Sequence, residues 1–305
     1  MSSLAPVSLS PFVEGGAYFE CPRWHDGRWW ASDFYRRTVY AYAADGTETA
    51  VLEVEGQPSG LGWLPDGDLL VVSMKDQRVL RRAAGDGSVT EHADVSDLTT
   101  GFLNDMVVDA AGRAYAGCFG FDLMNGAAPA PTVIVRIDPD GHAEVAADDL
   151  WFPNGTVINE DAGTLIVAET FAARFTAFTV GADGTLTDRR VWAAPGPLPE
   201  PVPDALEMLS ATTFAPDGCA LDAEGNVWVA NSLGRAVVRV SPHGSISGEA
   251  PLPDGLTAFA CGLGGEDGRE LIVCAAPDFF EEARTATREG VLLRGRVDVP
   301  QCGRP

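Results

Sequence analysis

One pattern recurs six times along this chain: an apolar strand, a turn carrying Asp or Glu beside a Gly, and a second apolar strand. The copies run Phe19 to Ser32, Gly60 to Ser73, Met106 to Gly117, Thr156 to Glu169, Cys219 to Asn231 and Phe259 to Ala275, with turn glycines Gly27, Gly67, Gly112, Gly163, Gly225 and Gly268. The clearest copy, Pro216 to Asn231, opens with a carboxylate, turns at Asp222 to Gly225 and returns as Val227-Trp228-Val229, which reads as a β-hairpin. Five copies are followed by another hairpin, as in Thr38 to Tyr42 with Asp45-Gly46 and Ala236 to Val240 with His243-Gly244. Four strands per unit at a period of roughly 40 to 60 residues predict an all-β, six-bladed β-propeller of four-stranded antiparallel blades, one domain spanning residues 1–305. The sixth unit is one strand short and Pro6 to Val13 belongs to no unit, so the N-terminal segment is expected to close the last blade and leave no open edge. Only Pro203 to Ser210 and Phe279 to Arg288 read as helical, both in loops.

A net charge of −23 with no basic cluster repels phosphate backbones and anionic headgroups, which argues against a nucleic-acid or membrane partner. Met1 to Pro11 lacks a basic n-region and a signal-length apolar run, and no later segment approaches a span, so a cytoplasmic location is expected. The six cysteines are scattered without a Cys-x-x-Cys pair and read as small buried thiols.

In a propeller the first strand of each blade lines the central channel, and all six start from the same face. Glu20 lies seven residues before its turn glycine, Asn104 eight, Asn154 nine and Asp217 eight. Four blades therefore aim an oxygen-bearing side chain at a common centre. Ser59 holds the corresponding place in the second blade, and the sixth has no polar counterpart. Two carboxylates and two carboxamides suit one hard divalent cation, calcium first since neither His nor Cys joins the set, with Zn2+, Mn2+, Mg2+ or Fe2+ as alternatives. Taken singly, Asn154-Gly155 and Asp217-Gly218 could be ordinary turn chemistry; the shared phase in four blades argues otherwise.

Glu20-Cys-Pro-Arg-Trp24, Asn104-Asp105 with Val108-Asp109 and Gly112-Arg113, Pro153-Asn154-Gly155, and Pro216-Asp217-Gly218 with Asp222 and Gly225-Asn226 resemble the senescence-marker-protein/gluconolactonase/luciferin-regenerating-enzyme family, from about Phe19 to Val297. That resemblance implies a six-bladed propeller lactonase using one divalent metal. It implies Glu20, Asn154 and Asp217 as metal ligands, Asp217 as general base, and Asn104 in contact with substrate or a water on the metal.

The chain departs from that pattern in two ways. Cys21 stands where the family has Gly, and Phe102 and Phe121 stand where its sugar-lactone members carry an Arg and an acid that grip hydroxyls. Two phenyl rings in those places argue against a free sugar lactone. The face-lining links agree: Asp33-Phe34-Tyr35, Phe119 to Met124, Thr170-Phe171, Asp278-Phe279-Phe280, and Trp151-Phe152 before Asn154. Phe34, Phe102, Phe119, Phe121, Trp151 and Phe171 thus predict an aromatic collar over a polar floor, suited to an apolar small molecule with one reactive carbonyl. Each ring taken alone could equally pack a loop. The run Pro195 to Ser210 leads into Asp217 and is a candidate lid.

No Gly-x-Ser-x-Gly elbow, dinucleotide fingerprint or P-loop occurs, and the four histidines fall in turns or outer strands. The expected function is a metal-dependent hydrolase that opens a lactone bulkier and less polar than a sugar lactone. The same site could instead serve ester or organophosphate hydrolysis or a lyase or isomerase step, and a non-catalytic metal-binding scaffold is a third reading.

Overall fold

The structure is a computed structural model describing residues 5–161, 163–200 and 202–305. The first four residues of the N-terminal stretch, Ala162 in the fourth repeat's turn and Pro201 in the proline-rich run lie outside the described residues.

Alternating apolar residues and Gly-containing turns fold the repeats into six four-stranded antiparallel sheets arranged as propeller blades. The innermost strands are Phe19–His25, Pro58–Trp63, Leu103–Val108, Pro153–Asn159, Pro216–Leu221 and Thr257–Gly264. Five sheets follow chain order. The sixth takes Thr257–Gly264, Glu270–Ala276 and Gly290–Arg296 and is completed by Ser10–Gly16, which pairs antiparallel with Gly290–Arg296. The N-terminal closure expected from the missing strand is therefore present, a few residues later than Pro6 to Val13. Pairing first and last segments ties the ring shut and covers the edge of Gly290–Arg296, which would otherwise be the blade's outer strand.

Burial falls from the axis outward. Leu103–Val108 and Pro216–Leu221 are buried throughout, whereas outer strands such as Glu48–Glu53 are largely exposed. The apolar core lies between blades: Leu70 and Val72 of the second blade, for example, pack with Met106, Ala116 and Val135 of the third. All six cysteines are free, five of them buried, as the scattered spacing implied.

Two helices interrupt the loops. The first, α1 (Ala205–Ala211), starts one residue after Asp204, whose side chain accepts the Glu207 N–H at 2.9 Å and caps it. The second, α2 (Glu281–Thr287), follows Phe279-Phe280. Among the described residues no helix is long and apolar enough to cross a membrane.

The innermost strands share a register break. In the first five blades two residues of the inner strand face one of its neighbour, at Cys21-Pro22, Ser59-Gly60, Asn104-Asp105, Asn154-Gly155 and Asp217-Gly218. In the sixth the break falls between Ala258 and Ala260. A bulge bends a strand and re-aims the side chain beside it. The Asx-Gly pairs are thus bulges within strands rather than turns. Their glycines are required for close approach: a Cβ on Gly155 would stand 2.4 Å from the Asp217 carbonyl oxygen, and one on Gly218 would stand 2.5 Å from Ala260 Cβ. Cys21, which follows Glu20 as Gly155 and Gly218 follow Asn154 and Asp217, adopts a left-handed φ of 50°, the conformation that favours glycine.

Candidate functional site

Glu20 immediately precedes its blade's bulge, whereas Ser59, Asn104, Asn154 and Asp217 open theirs; all five stand two residues after a carbonyl that accepts an N–H from the link following the second strand, which makes them one equivalent position in five blades. Glu20, Asn104, Asn154 and Asp217 line a single cavity of about 130 Å³ at one mouth of the channel. Each is about 93% buried. Ser59 does not line it; its hydroxyl lies 3.8 Å from Cys21 Sγ in the wall. In the sixth blade Phe259 takes the position and does line the cavity.

Two further rings rise above this floor. Two residues before the floor position stand Tyr18, Gln57, Phe102 and Phe152, all lining the cavity. At the start of the link after the second strand stand Phe34, Met74, Phe119, Thr170 and Ser232, also lining it. One repeated hydrogen bond joins the rings: the N–H of Phe34, Met74, Phe119, Thr170 and Ser232 donates to the carbonyl of Tyr18, Gln57, Phe102, Phe152 and Ala215 at 2.8–3.2 Å. The aromatic collar falls in two runs, one of them Phe102, Phe119, Phe152 and Phe171, with Phe119 stacked on Phe152 (centroids 4.5 Å) and Phe152 against Phe171 (5.3 Å). Tyr18 packs on Phe259 at 4.9 Å.

Of the expected aromatic residues, Phe34, Phe102, Phe119 and Phe171 line the cavity, and Phe121 and Trp151 do not. Phe121 sits behind the wall against Phe152 and Phe171 and opens on a neighbouring crevice. Trp151 is half-buried, and Phe152 faces the cavity in its place because a left-handed φ of 57° at Phe152 breaks the strand alternation. Tyr35, named with Phe34 in the first face-lining link, lines the cavity as well, and so do Tyr18, Gln57, Phe259 and Glu281, which were not singled out from the sequence. Position two before Glu20 and Ser59 was the available signal for Tyr18 and Gln57. Leu209 of α1 reaches the cavity, which brings part of the candidate lid segment to the site.

The floor is electrostatically unfavourable by itself. Burial pushes the Glu20 carboxyl well above its ordinary range, and the charges of Asp217 and Asp105 push it further. Burial likewise raises Asp217, against the pull of the Gly218 N–H and the Asn154 carboxamide. Among the described residues, none of the ion pairs reaches Glu20 or Asp217. The nearby guanidinium of Arg23 is held by Asp105 at 2.6 Å and by the carbonyls of Pro22, Leu61 and Met106 at 3.2–3.3 Å.

Two buried carboxylates without a counter-charge, beside carboxamide oxygens, fit a divalent cation of oxygen preference. Among the described residues there is no grouping of three or more His, Cys, Asp and Glu suited to a metal. The remaining protein oxygens would come from carboxamides, of which Asn154 is the nearest to Asp217 in hydrogen-bonding terms.

The wall offers few free donors. Tyr35 Oη donates to the Phe279 carbonyl at 2.5 Å, Thr170 Oγ1 to the Pro216 carbonyl at 2.8 Å and Ser232 Oγ to the Ala215 carbonyl at 3.2 Å. Gln57 Nε2 donates to Glu281 at 2.7 Å. A polyol would find rings where it needs partners.

Comparison with known proteins agrees with this architecture. The chain is 27% identical over 206 residues to a 6-deoxy-6-sulfogluconolactonase of Pseudomonas putida, covering 67% of this chain and 64% of that protein. It is 26% identical over 245 residues to a pentonolactonase of Haloferax volcanii, covering 79% and 76%. In structure it resembles a calcium-binding protein, regucalcin, from Agrobacterium tumefaciens, with a TM-score of 0.77 at 21% identity over 99% of both chains. A gluconolactonase from Xanthomonas campestris gives 0.72 at 23%, over 98% and 92%; at such identities the likeness speaks for the fold. With the family model for the SMP-30/gluconolactonase/LRE-like region matching residues 19–277, the chain belongs to that family.

Proposed function

We propose that the protein is a divalent-metal-dependent lactonase acting on a lactone bulkier and less polar than a sugar lactone. The observation that carries this reading is the convergence of Glu20, Asn104, Asn154 and Asp217 on the floor of one aromatic-walled cavity. Two relatives named lactonases support the reaction class.

Glu20, Asn154 and Asp217 would hold the cation, Ca2+ in the first instance. When bound it would supply Lewis-acid polarisation of the substrate carbonyl and a lowered pKa for water. Asp217 accepts a proton from the water whose oxygen attacks the carbonyl carbon. As the ring C–O bond breaks, Asp217 returns that proton to the departing alkoxide, leaving a hydroxy acid. Asn104 Nδ2 makes only a long contact, 3.4 Å to the Pro153 carbonyl, and is free to turn toward a substrate oxygen. Phe34, Phe102, Phe119, Phe152 and Phe171 bind the apolar body of the substrate and exclude bulk water.

Asp217→Ala should abolish acid release from a panel of aliphatic and aryl lactones and weaken Ca2+ binding measured by calorimetry. Turnover surviving in chelator-treated Asp217→Ala protein would refute the mechanism. Hydrolysis of aryl esters or organophosphates in preference to every lactone would move the reaction class while keeping the site.

A further inference from the structure

We propose that Glu281 is a specificity residue that makes the cavity reject lactones bearing an anionic substituent and accept neutral or cationic ones. This rests on the lactonase reading above and adds to it the charge class of the substrate.

No Lys, Arg or His is among the described residues lining the cavity, whereas Glu20, Asp217 and Glu281 all line it. A cation shared by Glu20 and Asp217 would balance those two charges and still leave the walls without a positive group. An anionic substituent remote from the reacting carbonyl would therefore lose water and gain no counter-charge.

The rim does hold two groups that could receive an anion, and Glu281 occupies both. Lys75 Nζ lies behind the Phe102 ring, 6.0 Å from its centroid, and is held by Glu281 Oε2 at 3.2 Å. Gln57 Nε2 donates to Glu281 Oε1 at 2.7 Å. Gln57 is the one carboxamide in a ring whose other cavity-lining members are the aromatic Tyr18, Phe102 and Phe152. Glu281 reaches this point from α2, because the Phe279-Phe280 link carries the helix over the mouth and is fixed there by Tyr35 Oη. One carboxylate thus engages the ammonium and the amide that a carboxylate or sulfonate on the substrate would require, and repels that substituent as well.

The test uses three aryl lactones of one scaffold, bearing a para methyl, ammoniomethyl or carboxylate group, and compares kcat/KM in the wild type, Glu281→Gln and Glu281→Gln/Lys75→Met. In the wild type the carboxylate compound should be at least 100-fold poorer than the methyl compound. In Glu281→Gln the anionic-to-neutral ratio should rise at least tenfold, and in the double variant that gain should vanish. Glu281 is well exposed, its side chain 38% accessible, and circular dichroism checks that both variants fold. The corresponding lactams, which are not hydrolysed, are titrated by calorimetry so that charge preference is read even if turnover fails. A wild type that handles anionic and neutral compounds within threefold, or a ratio that Glu281→Gln leaves within twofold, overturns the proposal. Equal binding of the three lactams overturns it whatever the fate of the hydrolase reading.

Discussion

Asp105→Asn should destabilise the protein by about 3 kcal/mol, since removing one partner of a buried ion pair typically costs ~3–5 kcal/mol. The Arg23 and Asp105 side chains are each 3% exposed and meet at 2.6 Å. The asparagine keeps the shape and an oxygen for the Met106 N–H, which Asp105 Oδ1 now accepts at 2.7 Å. The guanidinium, however, would remain buried with no negative partner, only the neutral amide oxygen and backbone carbonyls to accept from it. Those three carbonyls place the cost at the lower end of the range. With an unfolding entropy of about 2.1 cal/mol/K per residue, 305 residues give roughly 0.6 kcal/mol/K, so Tm should fall by about 5 °C. Arg23→Met should cost a similar amount by stranding the carboxylate. The double variant Arg23→Met/Asp105→Asn should lose at least about 2 kcal/mol less than the sum, because neither charge is left alone. Guanidinium chloride unfolding followed by tryptophan fluorescence measures all four proteins. The pair joins the first, second and third blades at the axis, through the Leu61 carbonyl as well as Asp105. Single variants within 1 kcal/mol of wild type, or strict additivity, would refute the idea that this pair clamps the channel beneath Glu20 and Asn104.

The raised pKa values of Glu20 and Asp217 mean that the folded chain binds protons more tightly than the unfolded one. Stability in chelator should therefore be greatest below the ordinary carboxylate range and fall as pH climbs through the elevated values, with Ca2+ restoring more at pH 8 than at pH 5; scanning calorimetry that finds no such slope, or the same slope in Asp217→Asn, contradicts the assignment. Phe102→Arg should raise the kcat/KM ratio of sugar lactone to aryl lactone at least tenfold by returning a donor to the wall, a change that a coupled acid-release assay reads directly. Gly155→Ala drives a Cβ to 2.4 Å from the Asp217 carbonyl oxygen and should cost roughly 1–3 kcal/mol in denaturant unfolding, whereas Gly181, whose Cβ would meet mainly the flexible side chains of Thr185 and Asp183, should tolerate alanine far better.

The repeats made the blades legible because a period-2 apolar pattern and a Gly turn are local properties. The unassigned N-terminal segment pointed to closure for the same reason: a sheet short of one strand leaves backbone groups unpaired. The distances from site residue to turn glycine drift from seven to nine because the turns differ in length, and only the repeated backbone hydrogen bond two residues earlier, at Tyr18, Phe102, Phe152 and Ala215, shows Glu20, Asn104, Asn154 and Asp217 to be equivalent. Ser59 had the right spacing and faces Cys21 in the wall, since spacing fixes the height of a residue and not where its side chain finds room.

By itself, then, the sequence determined the architecture, the four polar floor residues and the aromatic character of the wall, all of which follow from periodicity, turn residues and residue type. Which ring enters the cavity was decided by tertiary structure: the positive φ at Phe152 turns that ring inward and leaves Trp151 aside. The role of Glu281 was decided there too, because Glu281 is more than 200 residues of chain from both Gln57 and Lys75 and meets them only when the sixth blade's helix crosses the mouth of the ring. Charge neutralisation at a few ångströms depends on where the closed ring brings its loops, a distance that no local pattern encodes.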